Sequence, residues 1–123
     1  MAKKNTSPDQ LIATIIAGIE DVKGNEITIL DLREIDNTVC DYFIICEGTS
    51  NTQVNAIVNS IQKKVSKALK DNPWHIEGVE NAEWVLIDYI NVVVHVFQKH
   101  VREYYDIEGL WGDAKTTVIE TSY

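Results

Sequence analysis

This chain has little with which to run covalent, redox or metal chemistry. Its 123 residues include two cysteines, two prolines and one methionine. Cys40 and Cys46 form neither a C-x-x-C pair nor a His/Cys zinc spacing, so no metal and no redox motif is expected. Free thiols of this kind point to a reducing compartment, with Cys46 as a small buried hydrophobe. With six glycines, the chain has no G-x-G-x-x-G run and no Walker lysine, which leaves it without a recognised nucleotide fingerprint. No apolar run approaches the ~20 residues of a membrane span. The polar start, Met1-Ala2-Lys3-Lys4-Asn5-Thr6, lacks the apolar core of a signal peptide, so the expected home is the cytoplasm. Basic residues are the minority, 11 against 19 acidic ones, for a net charge of -8. That balance argues against the clustered basic surface of a nucleic-acid clamp and fits a basic protein partner.

The hydrophobic content is 45%, enough for one domain with a core. Residues 1–6 read as a loose arm. Ser7-Pro8 supplies an N-cap and a proline at the first helical position. Leu11, Ile12, Ile15, Ile16, Ile19 and Val22 then recur at helical spacing, and Gly24 stands where a glycine stop belongs. Glu26–Leu32 reads as a β-branched strand and Arg33–Thr38 as a loop. Asp41–Glu47 is apolar at nearly every position, the pattern of a strand covered on both faces and therefore central. Gly48-Thr49-Ser50-Asn51 breaks that strand and caps a second helix, whose stripe is Val54, Ile57, Val58, Ile61, Val65, Ala68 and Leu69. Asp71-Asn72-Pro73 ends it, and a short strand is expected within Trp74–Val79.

Two strands joined by a tight turn follow, Trp84–Tyr89 and Val92–Phe97. Alternation puts Val85, Ile87, Tyr89, Val92, Val94 and Val96 on one aliphatic face. The other face carries Trp84, Leu86, Asp88, Val93, His95 and Phe97, a mixture that suits contact with another macromolecule. Val101, Tyr104, Tyr105, Ile107, Leu110 and Trp111 predict a short C-terminal helix with a break near Gly109, and 113–123 reads as a flexible tail. The whole is one α/β domain with a mixed sheet of about five strands and helices packed on it.

Three constellations are candidates for chemistry. The Gly48–Asn51 turn can present backbone N–H groups to an anion, yet no carboxylate pair follows it to hold magnesium; a glycine turn with an N-cap explains it as well. Asp88 and His95 share a face and predict a hydrogen-bonded pair, but neither a nucleophile nor a third metal ligand is at hand. The aromatics Trp84, Phe97, Tyr104, Tyr105 and Trp111 suit either a core or an interface hot spot.

Five segments taken together go further: Asp41-Tyr42-Phe43-Ile44-Ile45, Gly48-Thr49-Ser50-Asn51-x-Gln53-Val54, Glu83–Tyr89, Val92–Phe97 and Arg102-x-x-Tyr105-x-x-Glu108-x-Leu110-Trp111. In this order and spacing the chain resembles the ribosomal silencing factor family, also called Iojap, from about residue 8 to residue 114. The resemblance implies a nucleotidyltransferase-like fold without recognised transferase activity and without a cofactor. It also implies binding to the large ribosomal subunit through ribosomal protein L-fourteen, which blocks subunit joining when nutrients are short, and a homodimer in isolation. Interface roles then fall on Trp84, Leu86, Asp88, His95, Phe97 and Tyr105, and further on Arg102, Leu110 and Trp111. Two positions depart from the family pattern. The hairpin turn is Ile90-Asn91 where Gly-Asp is usual, which predicts a wider turn or a left-handed Asn91. Thr52 stands where a basic residue is common, which weakens any phosphate role for that turn. The alternatives are a nucleotidyltransferase-like enzyme using Gly48–Ser50, and a mixed face that serves chiefly as the dimer seam.

Overall fold

A computed structural model describes residues 7–123; the expected loose arm at 1–6 lies outside the described residues. Its elements are α1 (Pro8–Asp21), β1 (Asn25–Asp31), β2 (Tyr42–Gly48), α2 (Asn51–Leu69), β3 (His75–Glu77), β4 (Trp84–Asp88), β5 (Val92–Gln98), α3 (Lys99–Tyr105), α4 (Ile107–Leu110) and β6 (Lys115–Val118). The strands form one six-stranded sheet in the order β3-β4-β5-β2-β1-β6. β2 runs parallel to β5, and the other neighbours are antiparallel. The α/β class with a mixed sheet is as expected, with one strand more. No described helix is long and apolar enough to cross a membrane.

The starts of the two long helices follow from their caps. The Ser7 hydroxyl accepts from the Gln10 N–H at 3.1 Å, and Ser50 does the same for Gln53 at 3.2 Å, so each satisfies one of the otherwise unpaired amides of a first turn. The end of α1 departs from expectation. Lys23, not Gly24, takes the left-handed conformation, with φ 58°. The Lys23 N–H then bonds Glu20 O and the Gly24 N–H bonds Ile19 O, which is the Schellman pairing. Gly24 is needed for space, because a Cβ there would stand 2.4 Å from Ile19 Cγ2.

β2 is buried at every residue, since both faces of the sheet are covered around it. α1 and α2 close one face over Ile27, Ile44, Cys46, Val85, Ile87, Val94 and Val96. On the other face Leu30, Phe43, Ile45, Val93 and Phe97 pack under Val101, Ile107 and Trp111. The aliphatic face of the β4–β5 hairpin therefore meets the two long helices, and the mixed face meets the short C-terminal ones.

Two expectations fail at the C-terminal end. The helix breaks at Asp106 rather than near Gly109. Asp106 takes φ 46°, ends α3 and caps α4 by accepting from the Gly109 N–H. The stretch expected to be a flexible tail instead forms β6 on the edge of β1, with Thr28 opposite Val118 and Asp31 opposite Lys115. All four β6 residues are exposed, so the strand is held by backbone pairing and leaves no hydrophobic pattern to read.

The β4–β5 turn keeps the register expected from Tyr89 facing Val92, with Trp84 opposite Phe97 and Asp88 opposite Val93. It is not a wider turn, and the left-handed residue is Ile90, not Asn91. Ile90 has φ 77°, and the Asn91 N–H bonds Tyr89 O across it at 3.0 Å. That is the positive-φ γ-turn, a strained form, here occupied by a β-branched residue that resists it. Asp88 Oδ1 accepts from the Ile90 N–H at 2.7 Å, and Asn91 O accepts from the Asp41 and Tyr42 N–H groups, which pins the turn. Replacing Ile90 by glycine is expected to stabilise the domain by about 1 kcal/mol, the released strain less the added chain entropy. Urea unfolding measures it, and a destabilised variant would mean the turn is unstrained.

Candidate functional site

The mixed face divides by depth. Phe97 is fully buried, and His95 and Arg102 are nearly so. These three offer a partner little or no surface. Trp84, Leu86 and Asp88 are half-buried, while Tyr105, Tyr104 and Leu110 are exposed. Trp111 is half-buried, with its ring edge-on to Phe43 at 5.7 Å.

Trp84 is the centre of what remains open. Its ring stacks on Phe97 at 4.9 Å and lies 4.9 Å from the Tyr105 ring. Tyr104 meets Tyr105 edge-on at 5.0 Å. The Trp84 indole Nε1–H donates to His95 Nδ1 at 3.0 Å. The expected Asp88–His95 pair does not form: His95 stands opposite Leu86 in the sheet, and Asp88 is occupied by the Ile90 amide. Because Nδ1 accepts, the neutral ring carries its proton on Nε2. That atom is buried without a hydrogen-bond partner, and the imidazole ring as a whole packs edge-on with Phe43, their centroids 4.5 Å apart. Burial pushes the His95 pKa down to about 4, so the ring is neutral at physiological pH and stays an acceptor for Trp84.

Arg102 ties the C-terminal helices to the sheet. One extra residue on β1 between Asn25 and Thr28 makes a bulge against β2, and Glu26 there takes φ 52°. Its carbonyl accepts from Arg102 Nη1 at 2.7 Å. The same guanidinium reaches Glu47 Oε1 at 3.2 Å, Thr28 Oγ1 at 3.2 Å, and both carboxylate oxygens of Glu108. Burial raises the Glu47 pKa and Arg102 counters that rise. The sequence reading missed Glu47 and Glu108 as its partners. The Arg102 to Glu108 spacing across a short helix is a local signal, whereas Glu47 lies on a distant strand and leaves none.

The Gly48–Asn51 turn is filled by the protein's own side chain. Gln53 Oε1 accepts from the Thr49 N–H at 2.7 Å and from its hydroxyl at 2.9 Å. Gln53 Nε2 donates to Lys23 O at 3.2 Å, linking the turn to the end of α1. The Thr49 amide that would meet a phosphate is therefore taken, and the turn serves packing. Among the described residues no group of three His, Cys, Asp or Glu side chains is placed to hold a metal.

The chain is similar to known proteins along most of its length. The family model described as "Ribosomal silencing factor during starvation" matches residues 4–122. The chain belongs to the ribosomal silencing factor family. Among its relatives, the ribosomal silencing factor RsfS of Halalkalibacterium halodurans is 40% identical over 114 residues, covering 93% of this chain and 96% of that one. The RsfS of Chromobacterium violaceum is 45% identical over 100 residues, covering 81% and 80%. A crystal structure of a protein from Chromobacterium violaceum superposes with a TM-score of 0.82 at 38% identity, covering 94% of this chain and 95% of that one. Within a ribosomal silencing factor domain, the open aromatic surface around Trp84 is the site most in need of a role, because the candidate catalytic arrangements are used internally.

Proposed function

We propose that this protein binds the large ribosomal subunit through ribosomal protein L-fourteen and, sitting there, sterically keeps the small subunit from joining. Translation falls by occlusion when nutrients are short, with no bond made or broken, and the protein acts in the cytoplasm as a non-enzymatic repressor. The free protein is a homodimer. The observation that carries the reading is the platform of Trp84 and Tyr105: large aromatic rings, partly open to solvent, held in place before any partner arrives by Phe97 beneath and His95 beside. Preorganised aromatics of this kind are the usual anchors of protein interfaces. A net charge of -8 favours encounter with a basic ribosomal protein. Leu86, Asp88 and Leu110 extend the surface around the rings.

Trp84→Ala tests this directly. Loss of an aromatic anchor is expected to weaken co-sedimentation with purified large subunits by about tenfold or more, with circular dichroism showing the domain still folded. Unchanged co-sedimentation would remove the Trp84 surface from the interface. Large subunits preloaded with wild-type protein are expected to resist joining by added small subunits.

A further inference from the structure

At the hairpin-turn end of the mixed face, a groove of about 300 Å³ is lined by Val39, Trp74, Asp88, Ile90 and Val93. Three of its walls are large apolar side chains left in water: Val39 is 91% exposed, Trp74 77% and Ile90 59%. Water-exposed apolar groups gathered around one concavity are characteristic of a binding site, unlike the same residues scattered. Ile90 is disfavoured twice, by its exposure and by a left-handed backbone in a strained turn. The fold imposes that angle, yet a glycine would adopt it without strain, and strain retained in this way is a pointer to function. The charged side chain that lines the groove is an acid, Asp88. Asp41 and Asp88 both lie close enough to act on the Cys40 thiol beside Val39. Among the described residues neither carboxylate has a salt-bridge partner. The chemistry that satisfies all of this is an apolar side chain followed or preceded by a lysine or arginine. The aliphatic part packs on Val39 and Ile90, the cation lies over the Trp74 face, and the carboxylates neutralise it.

We propose that this groove is a second docking pocket for the partner, receiving an apolar-and-basic segment of the ribosomal protein bound at Trp84. The proposal rests on the reading that a basic protein of the large subunit is the partner, and it extends the interface along the exposed margin of the same sheet face. Trp74 and Ile90 then set which segment is accepted, and the strained isoleucine is retained for its contact.

Affinity for salt-washed large subunits, measured for wild type, Trp84→Ala, Trp74→Ala and Ile90→Gly, tests it, together with each variant's melting temperature. Trp74→Ala and Ile90→Gly are each expected to weaken binding by about fivefold or more. Ile90→Gly is expected to do so while melting no lower than wild type, a split that a purely structural role does not produce. A photo-crosslinking phenylalanine analogue in place of Trp74 is expected to join a lysine- or arginine-rich protein peptide. Binding lost in Trp84→Ala but unchanged in both groove variants overturns the pocket and leaves the Trp84 reading standing. A crosslink to ribosomal RNA or to a second copy of this chain overturns the assigned occupant. Failure of the wild-type protein to bind large subunits at all overturns both readings.

Discussion

Arg102→Ala is expected to destabilise the domain by about 3–5 kcal/mol, the range for removing one partner of a buried ion pair. The wild-type guanidinium and the Glu47 carboxylate are each about nine-tenths shielded from solvent. Truncation leaves Glu47 charged and uncompensated, strands the Glu26 carbonyl at the β1 bulge, and frees Glu108 on α4. Much of the loss is the cost of burying a lone carboxylate, so the double variant Arg102→Leu with Glu47→Leu is expected to recover a large part of it. The pH dependence carries the same signature. Burial already raises the Glu47 pKa, and without Arg102 it rises further. A raised carboxylate pKa means that the native state takes up its proton before the unfolded state does. Stability of Arg102→Ala is therefore expected to recover as pH falls from 7 towards 5, relative to wild type. Urea unfolding at several pH values measures all three effects. A loss below about 1 kcal/mol would mean that solvent reaches this cluster freely.

Acidification of the wild-type protein gives the other large effect, with the opposite sign. The His95 pKa is pushed down from its ordinary 6.5 to about 4 by burial. Above pH 6.5 both states leave this ring neutral and its contribution is fully present. Between pH 6.5 and 4 the unfolded state binds a proton that the native state refuses, so stability falls by about 3 kcal/mol in total. Glu47 offsets part of this, because its raised pKa stabilises the native state as pH drops. The clean measurement is thus the difference between wild type and His95→Asn, whose amide oxygen can stand where Nδ1 stands. The amide keeps an acceptor for the Trp84 indole and does not titrate, so its profile is expected to be flatter across that window. Identical profiles would show that His95 is not the group responsible. The same protonation would remove the acceptor that orients Trp84, so binding is expected to weaken with stability at low pH.

Several features were legible in the chain because they are local. Ser7-Pro8 and Ser50 announce helix starts through side-chain oxygens within hydrogen-bonding reach of the next turn. The unbroken apolar run Tyr42–Cys46 announces a strand covered on both sides. The two faces of the hairpin followed from alternation, whereas the Ile90-Asn91 turn left its pairing register open to a slip until the structure fixed it. β6 was hidden because an edge strand held only by its backbone needs no apolar residues. The break at Asp106 was misplaced because glycine is the stronger stop signal, whereas here an aspartate takes φ > 0 and also caps the next helix. For the same reason Lys23 and Ile90 escaped notice: tertiary pairing on either side imposes backbone angles that these residues would not choose.

Composition and pattern alone therefore determined the class of domain, the two faces of its final hairpin and the acidity that suits a basic partner, while the family entered through the resemblance of its ordered motifs. Only the tertiary structure decided which residues of the mixed face are open. Alternation assigns a side chain to a face, but depth depends on what packs over that face. Val101 of α3 and Ile107 of α4, on helices anchored by Arg102, share a buried cluster with Phe97, the rings of Phe43, Trp84 and Phe97 surround His95, and Trp84 and Tyr105 are left at the rim. Residues far apart in sequence, Val39, Trp74 and Ile90, meet only because β2, β3 and β4 bring their ends together, and no local signal in the chain records that meeting.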